Sequence, residues 1–323
     1  MSAPGHVVVT GAAGFIGSHL VDRLLAAGQA VVGIDSFTDY YDPALKEANL
    51  EGALAHPGFR LVRADLLSLL NGPSEVREAL AGADVVYHLA AQAGVRSSWG
   101  RSFRVYTDDN VLATQIVLET CADLQVPRVV CASSSSVYGD VTEMPLREDG
   151  PCRPVSPYGV TKLACEHLCR LYAAGRGLHT VALRFFTVFG PRQRPDMAFN
   201  LFMQALHRGE PITVYGGGGQ TRDFTYVDDI VAGILAAPAA PAGSVVNLGG
   251  GHRVSLLQAL DALAEVTGTR PSIVHAEAQP GDARDTWASL ETARELLGYA
   301  PATSLQEGLA AEWEWVLSTL RAC

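Results

Sequence analysis

Tyr158 and Lys162 stand four residues apart in the stretch Ser156-Pro157-Tyr158-Gly-Val-Thr-Lys162. If that stretch is helical, the spacing puts both side chains on one face, and Pro157 suits a first helical turn. An ammonium beside a phenol stabilises the phenolate. A phenolate can take the proton of a substrate hydroxyl while the carbon bearing it gives up a hydride. A Tyr/Lys pair on an amphipathic helix is common by chance, so the neighbours matter. Upstream, the serines Ser133–Ser136 close a β-branched run, and a hydroxyl there can bond the same substrate oxygen. Lysine occurs only at Lys46 and Lys162 while arginine is frequent, so a motif position that keeps a lysine stands out.

Hydride chemistry needs an acceptor. The segment Gly11-Ala-Ala-Gly14-Phe15-Ile16-Gly17 follows the run Val7–Thr10 directly and opens a helical pattern. Glycines are required there because the backbone turns sharply and a pyrophosphate must come close to it. The helix N-terminus adds unpaired N–H groups and the positive end of the helix dipole. Asp35 closes the second β-branched run, 18 residues after Gly17. A carboxylate in that place accepts both ribose hydroxyls of NAD and repels the extra phosphate of NADP. Asp65, followed by Leu66, closes the third run; contact with the adenine and a solvated loop carboxylate are both open readings. Gly216–Gly219 leads into Gln220 and no helix, and Gly249–Gly251 precedes Ser255, a helix cap. Both read as turns.

The elements that must carry these residues alternate. β-Branched runs at Val7–Thr10, Ala30–Asp35, Arg60–Arg63, Val85–Leu89, Arg128–Ser133 and Thr180–Phe185 enclose helical patterns at Gly17–Ala27, Val76–Ala81, Val111–Leu124 and Tyr158–Ala174. Such alternation predicts an α/β fold: a Rossmann-type, doubly wound parallel sheet whose ligands sit beyond the carboxyl ends of its strands. After Phe186 the rhythm changes. Gly190–Asp196 is rich in Pro and Arg, and a helix at Met197–Arg208, a strand at Ile212–Tyr215, another strand–helix pair and a final helix near Leu305–Leu320 follow. We expect residues 1–186 to form the NAD-binding domain. Residues 187–323 should form a smaller α/β substrate domain that returns segments near 224–248 to the first.

Composition limits the alternatives. The net charge of −10 argues against a nucleic-acid or acidic-membrane partner. No apolar run reaches the roughly 18 residues of a membrane helix, and the first residues lack the pattern of a signal peptide. A cytoplasmic location with reduced cysteines is expected. The six cysteines show no CxxC or zinc spacing, and Cys165 and Cys169, four apart, read as buried small side chains. No metal is expected.

Together these motifs resemble the nucleotide-sugar epimerases and dehydratases of the extended short-chain dehydrogenase/reductase family. The resemblance spans nearly the whole chain. It takes in the glycine loop, His88-Leu-Ala-Ala91, Asn110, Ser134-Ser-Ser136-Val-Tyr138-Gly139, Tyr158/Lys162, Arg184-Phe-Phe186 and Arg222-Asp-Phe224. It implies that Ser134 works with Tyr158 and that Lys162 also holds the nicotinamide ribose. It further implies that Leu89, Ala90, Ala91 and Phe186 line the reactive end of the cofactor, with Asn110 in the same site. A homodimer built on the helices near Val111–Leu124 and Tyr158–Ala174 is implied as well.

The residues after Ser134 bear on the reaction. Family members that eliminate water carry Asp and Glu there, and sugar-acid decarboxylases carry Glu in the second place. Here both are serines, Ser135 and Ser136. Oxidation followed by re-reduction needs no further acid, so the expected chemistry is epimerisation of a UDP-sugar at C4 through a 4-keto intermediate, with NAD kept bound. Asp35–Lys46, Gln92–Arg96 and Phe186–Met197 look like the branch that acts on UDP-glucuronate. A sugar carboxylate wants hydroxyl or arginine donors; Arg96, Arg194, Ser135, Ser136 and Thr187 are the candidates. Arg222 and Arg192 are assigned to the UDP pyrophosphate and Asp282 to its ribose. Val214 and Tyr215 complete the substrate-binding set. The chain departs from that branch around Ser97–Tyr106, where an aromatic after the arginine and a Pro before the tyrosine are usual, and at Ser289, where Asp is common. UDP-glucose and UDP-N-acetylglucosamine therefore stay open as substrates. A catalytically silent NAD/UDP-sugar-binding protein is the alternative from another class, and intact Ser134, Tyr158 and Lys162 speak against it.

Overall fold

A computed structural model describes residues 5–277, 281 and 283–322. The first half runs β1 (His6–Thr10), α1 (Phe15–Ala26), β2 (Val31–Asp35), α2 (Pro43–Leu54), β3 (Phe59–Arg63), α3 (Glu75–Leu80), β4 (Ala83–His88), α4 (Phe103–Tyr106), α5 (Ala113–Asp123), β5 (Arg128–Ser134), α6 (Pro157–Arg176) and β6 (His179–Phe185). The second half runs β7 (Thr187–Phe189), α7 (Ala198–Arg208), β8 (Ile212–Tyr215), β9 (Thr221–Tyr226), α8 (Val227–Ala236), β10 (Ser244–Leu248), β11 (Arg253–Ser255), α9 (Leu256–Thr267), β12 (Ile273–Ala276), α10 (Glu291–Leu297) and α11 (Leu305–Ala322).

Seven strands form one parallel sheet in the order β3-β2-β1-β4-β5-β6-β10. The first six follow the Rossmann order, which reverses between β1 and β4 and opens a crevice there. The strand side chains alternate between two buried faces. Val7 and Val9 of β1 join the core with α1 and α8, while Val8 joins the core with α3 and α5. A central strand buried on both sides reads as an unbroken apolar run, as Val7-Val-Val9 does. β10 pairs in register with β6 from Ser244↔Val181 to Leu248↔Phe185, so the chain returns to the large sheet after β9.

A third core joins β8, α7, α9 and α11, with the rings of Phe199 and Phe224 tilted against each other, 4.8 Å between centroids. Three short strands (β11-β9-β7) and a pair (β12-β8) complete that region.

Helix α2 escaped the sequence reading. Its buried face mixes Lys46 and Asn49 with Leu50 and Ala53, so no apolar period marks it. Asn49 Nδ2 donates to the carbonyl of Ala13 at 3.0 Å, which ties α2 to the glycine loop. The helix expected at Val111–Leu124 is the continuation of α4 through a π-helical turn, Thr107–Leu112. β11, β12 and α10 were also missed, being three to seven residues long. Among the described residues no helix is long and apolar enough to cross a membrane.

Candidate active site

An open cleft lies beyond the carboxyl ends of β1, β2 and β4, at the crevice in the sheet. The glycine loop forms its floor. Gly11 has φ +69°, and a Cβ there would sit 2.9 Å from the backbone of Ala90. A Cβ on Gly17 would sit 2.0 Å from the Gly11 carbonyl oxygen, so this glycine lets the helix close onto the loop. Gly14, Phe15 and Ile16 border the cleft where α1 begins, and no side chain caps that helix end. The N–H groups of this first turn are therefore directed to the cleft without a side-chain competitor.

Asp35 is held from two sides. One carboxylate oxygen accepts from Ala13 N and the other from Phe37 N, both at 2.9 Å. Each oxygen keeps a lone pair for a ribose hydroxyl. Asp65 caps the 3₁₀ turn that follows β3, accepting from Leu67 N at 2.8 Å, and borders the cleft with Leu66. Leu89, Ala90 and Ala91 line the opposite wall. Beneath them Thr10 Oγ1 accepts from Ala90 N at 3.2 Å and bonds His88 Nδ1 at 2.9 Å. Burial, reinforced by the charge of Lys162, pushes the His88 imidazole down to about 3. His88 is thus a neutral brace and no proton carrier.

The catalytic helix is positioned by its start. Ser156 caps α6, accepting from Gly159 N at 3.1 Å, and Pro157 takes the first helical position. A Cβ on Gly159 would lie 2.5 Å from the carbonyl oxygen of Ser136, so a glycine after Tyr158 brings the helix against the serine turn. Tyr158 and Lys162 both line the cleft. Lys162 Nζ lies 5.9 Å from the Tyr158 ring centroid and donates to the carbonyl of Ala132 at 3.0 Å. Ser134 ends β5; its Oγ accepts from Ser136 N and donates to Ser136 Oγ, both at 3.1 Å. Ser135–Val137 form a short 3₁₀ turn. Ser133 is engaged elsewhere, donating to the buried Glu166, which also receives Arg184 at 2.8 and 2.9 Å.

Several candidate residues stand away from the cleft lining. Asn110 is buried with its amide fully occupied: Oδ1 accepts from Gln92 N, and Nδ2 donates to Gln92 O and Thr161 Oγ1. It braces the Gln92 segment against α6 instead of touching the cleft. Phe186 is buried against Tyr138, and Phe185 takes its place at the cleft wall. Arg192 turns away to Asp22 on α1 at 2.7 Å, where it ties down the Gly190–Asp196 loop. Val214 faces the core, because alternate residues of β8 point inward. Asp282 lies outside the described residues.

The remaining substrate candidates divide. Arg194 reaches the cleft and is paired with Asp196 through Nε and Nη2 at 2.9 and 3.0 Å. Arg96 stacks over the ring of Tyr215, 4.5 Å from its centroid. Arg222 donates to the carbonyls of Thr221 and Arg284. Thr187 opens β7 opposite Phe224.

Sequence reasoning passed over Tyr40, Tyr41, Gln92 and Asp109, all of which border the cleft. Burial pushes the Tyr41 phenol up to about 12 and raises the Asp109 carboxyl, which faces Asp65 and Asp108. The tyrosines lie inside the Asp35–Lys46 stretch, just before α2, and only the fold brings them to the cleft. Tyr106 was read only as a landmark of the Ser97–Tyr106 departure. Its ring meets that of Tyr158 edge-on at 6.2 Å, and its hydroxyl bonds Ser97, Ala93 and Gly94.

The chain is similar to known proteins over nearly its whole length. An uncharacterised UDP-glucose epimerase of Bacillus subtilis is 42% identical over 97% of this chain and 98% of its own. The crystal structure of a UDP-glucuronic acid 4-epimerase from Bacillus cereus with UDP-glucuronic acid and NAD superposes with a TM-score of 0.92, at 40% identity over 97% of this chain and 99% of that one. MoeE5 in complex with UDP-glucose and NAD gives 0.86 at 43% identity, covering 98% of this chain and 100% of that one. The model of the NAD dependent epimerase/dehydratase family matches residues 7–249. The chain belongs to the NAD dependent epimerase/dehydratase family.

Proposed function

We propose that this protein epimerises a UDP-sugar at C4 with NAD as a resident cofactor, and that the sugar is UDP-glucuronate, converted to UDP-galacturonate. The observation that carries the reading is the meeting of Tyr158 and Lys162 at one cleft, on a helix whose start packs against a serine turn that has no carboxylate at positions 135 and 136. The glycine loop, the α1 N-terminus and Asp35 fit a dinucleotide. NAD bound there would supply a reversible hydride acceptor for the sugar's C4. Tyr158 takes the proton of the 4-hydroxyl and later gives it back. Ser134 hydrogen-bonds the same oxygen. Lys162, fixed by Ala132, keeps positive charge beside the phenol and bonds the nicotinamide ribose. Arg194, at the same cleft, is the donor for a sugar carboxylate. The homologous structures with UDP-glucuronic acid support this choice.

A second reading, a neutral-sugar epimerase, is favoured by Ser97. Where the UDP-glucuronate branch usually has an aromatic, Ser97 bonds the Tyr106 hydroxyl at 2.6 Å. MoeE5 has been crystallised with UDP-glucose and with UDP-glucuronic acid. Incubation with UDP-glucuronate, UDP-glucose and UDP-N-acetylglucosamine, followed by chromatography of the products, separates the readings. Conversion of the neutral sugars alone removes the acid assignment, and release of carbon dioxide or water removes epimerisation.

The same reading divides the chain into an NAD-binding unit over 1–186 and a UDP-sugar-binding unit over 187–323, with the segment near 224–248 belonging to the first. The register of β10 on β6 supports that division. It also has the protein working in the cytoplasm as a homodimer through α5 and α6, where Val160 and Leu171 of α6 stand exposed.

A further inference from the structure

Arg194 is the cleft's cationic candidate for a sugar carboxylate, yet the chain already supplies it with one. Asp196 accepts from its Nε and Nη2 in a two-point pair, the geometry a substrate carboxylate would use. Asp196 is also held from across the cleft: Tyr40, from the loop between β2 and α2, donates its hydroxyl to Asp196 Oδ2 at 3.2 Å. The loop carrying both residues is fixed independently. Arg192 is paired with Asp22, the Gln193 side chain bonds Val188 O and Asn200 N, and Glu312 accepts from Gly190 N. Asp196 is therefore not needed to anchor the loop, and its carboxylate lies against Arg194 for another reason.

We propose that Asp196 is a specificity-determining residue: an internal carboxylate that occupies Arg194 until a sugar carboxylate displaces it toward Tyr40. With Asp196 paired, Arg194 presents little net charge to a neutral sugar. An acidic sugar must compete for the guanidinium, so Asp196 lowers the preference for the acid and Tyr40, by offering Asp196 a second partner, restores part of it. Specificity is a difference of affinities, and one internal competitor shifts only the charged ligand's side of it. The proposal rests on the reading that the substrate is a UDP-sugar.

The test measures KM and kcat for UDP-glucuronate and UDP-glucose in the NAD-loaded wild type, Asp196→Asn and Tyr40→Phe. Asp196→Asn should raise the ratio of KM for UDP-glucose to KM for UDP-glucuronate about tenfold, the worth of one charged hydrogen-bonded pair. Tyr40→Phe should move the ratio the other way by a few-fold. Equal changes for both sugars, or a ratio that falls in Asp196→Asn, make Asp196 a support for Arg194 and overturn the proposal while the functional reading stands. A wild type that converts neither sugar overturns both. Should Asp196→Asn fail to fold, the sign of the Tyr40→Phe shift decides.

Discussion

Lys162 Nζ sits 5.9 Å from the centre of the Tyr158 ring while donating to the carbonyl of Ala132, two residues before Ser134. One lysine thus registers the catalytic helix against the strand end that supplies the serine. Replacing Tyr158 by Phe removes a single oxygen and leaves this bond intact. The variant should keep its NAD and lose turnover by roughly 10²–10⁴-fold, the usual worth of a positioned acid–base group. Absorbance of bound cofactor and steady-state rates check it; full activity would take Tyr158 out of the mechanism.

Asp35→Asn should weaken NAD binding by about tenfold and relax discrimination against NADP, because the repelling charge is gone. The amide presents only one acceptor oxygen to Ala13 N, Phe37 N and the ribose together. Calorimetric titration of the cofactor-free protein with each dinucleotide reads both effects. An unchanged NAD affinity contradicts the role of Asp35.

The Glu166–Arg184 pair ties α6 to β6 inside the core, with both side chains 3% exposed or less. Glu166→Ala leaves the guanidinium buried and Ser133 without its acceptor. We expect a loss of about 3–5 kcal/mol, read by urea unfolding. A loss under about 1 kcal/mol would mean that Arg184 finds water or another partner.

Much of this site was legible because parallel α/β folds bring strand ends together at one edge. The glycine loop, Asp35 and Tyr158/Lys162 each lie where a strand or helix changes, and such changes show in hydrophobic period and turn chemistry; Leu89–Ala91 came only with the family resemblance. Arg192 and Arg194 both read as ligand-binding residues in the sequence, since two residues apart on a loop gives no information on direction. The positive φ of Arg192, +63°, turns the chain so that one guanidinium meets Asp22 and the other the cleft. Asn110 poses a related difficulty: a buried amide that braces two segments looks, in sequence, the same as one that touches a ligand. Tyr40 and Tyr41 became visible only with α2, whose polar inner face hid it.

Glu312 predicts a pH dependence of stability. Burial pushes its carboxyl up to about 8; Oε2 accepts from Gly190 N and Oε1 has no partner among the described residues. A raised carboxyl binds its proton more tightly in the folded state. It therefore contributes stability fully below its unfolded value near 4.5 and loses it as pH climbs through about 8. Asp223, pushed up to about 7 by burial, acts in the same direction. Glu312→Gln should flatten the decline between about pH 5 and 8 and stabilise the protein at pH 8 by a few kcal/mol, on the order set by the linkage relation. Melting temperatures across that range check it, and parallel curves for the two proteins would refute it.

In the proposed epimerisation the hydride taken from C4 is the hydride given back. UDP-glucuronate carrying deuterium at C4 tests it directly, with the product separated and its label measured by mass spectrometry. The expected product is UDP-galacturonate that retains the deuterium at C4 in full. Product with hydrogen at C4, or an oxidised sugar accumulating in step with reduced cofactor, would contradict it.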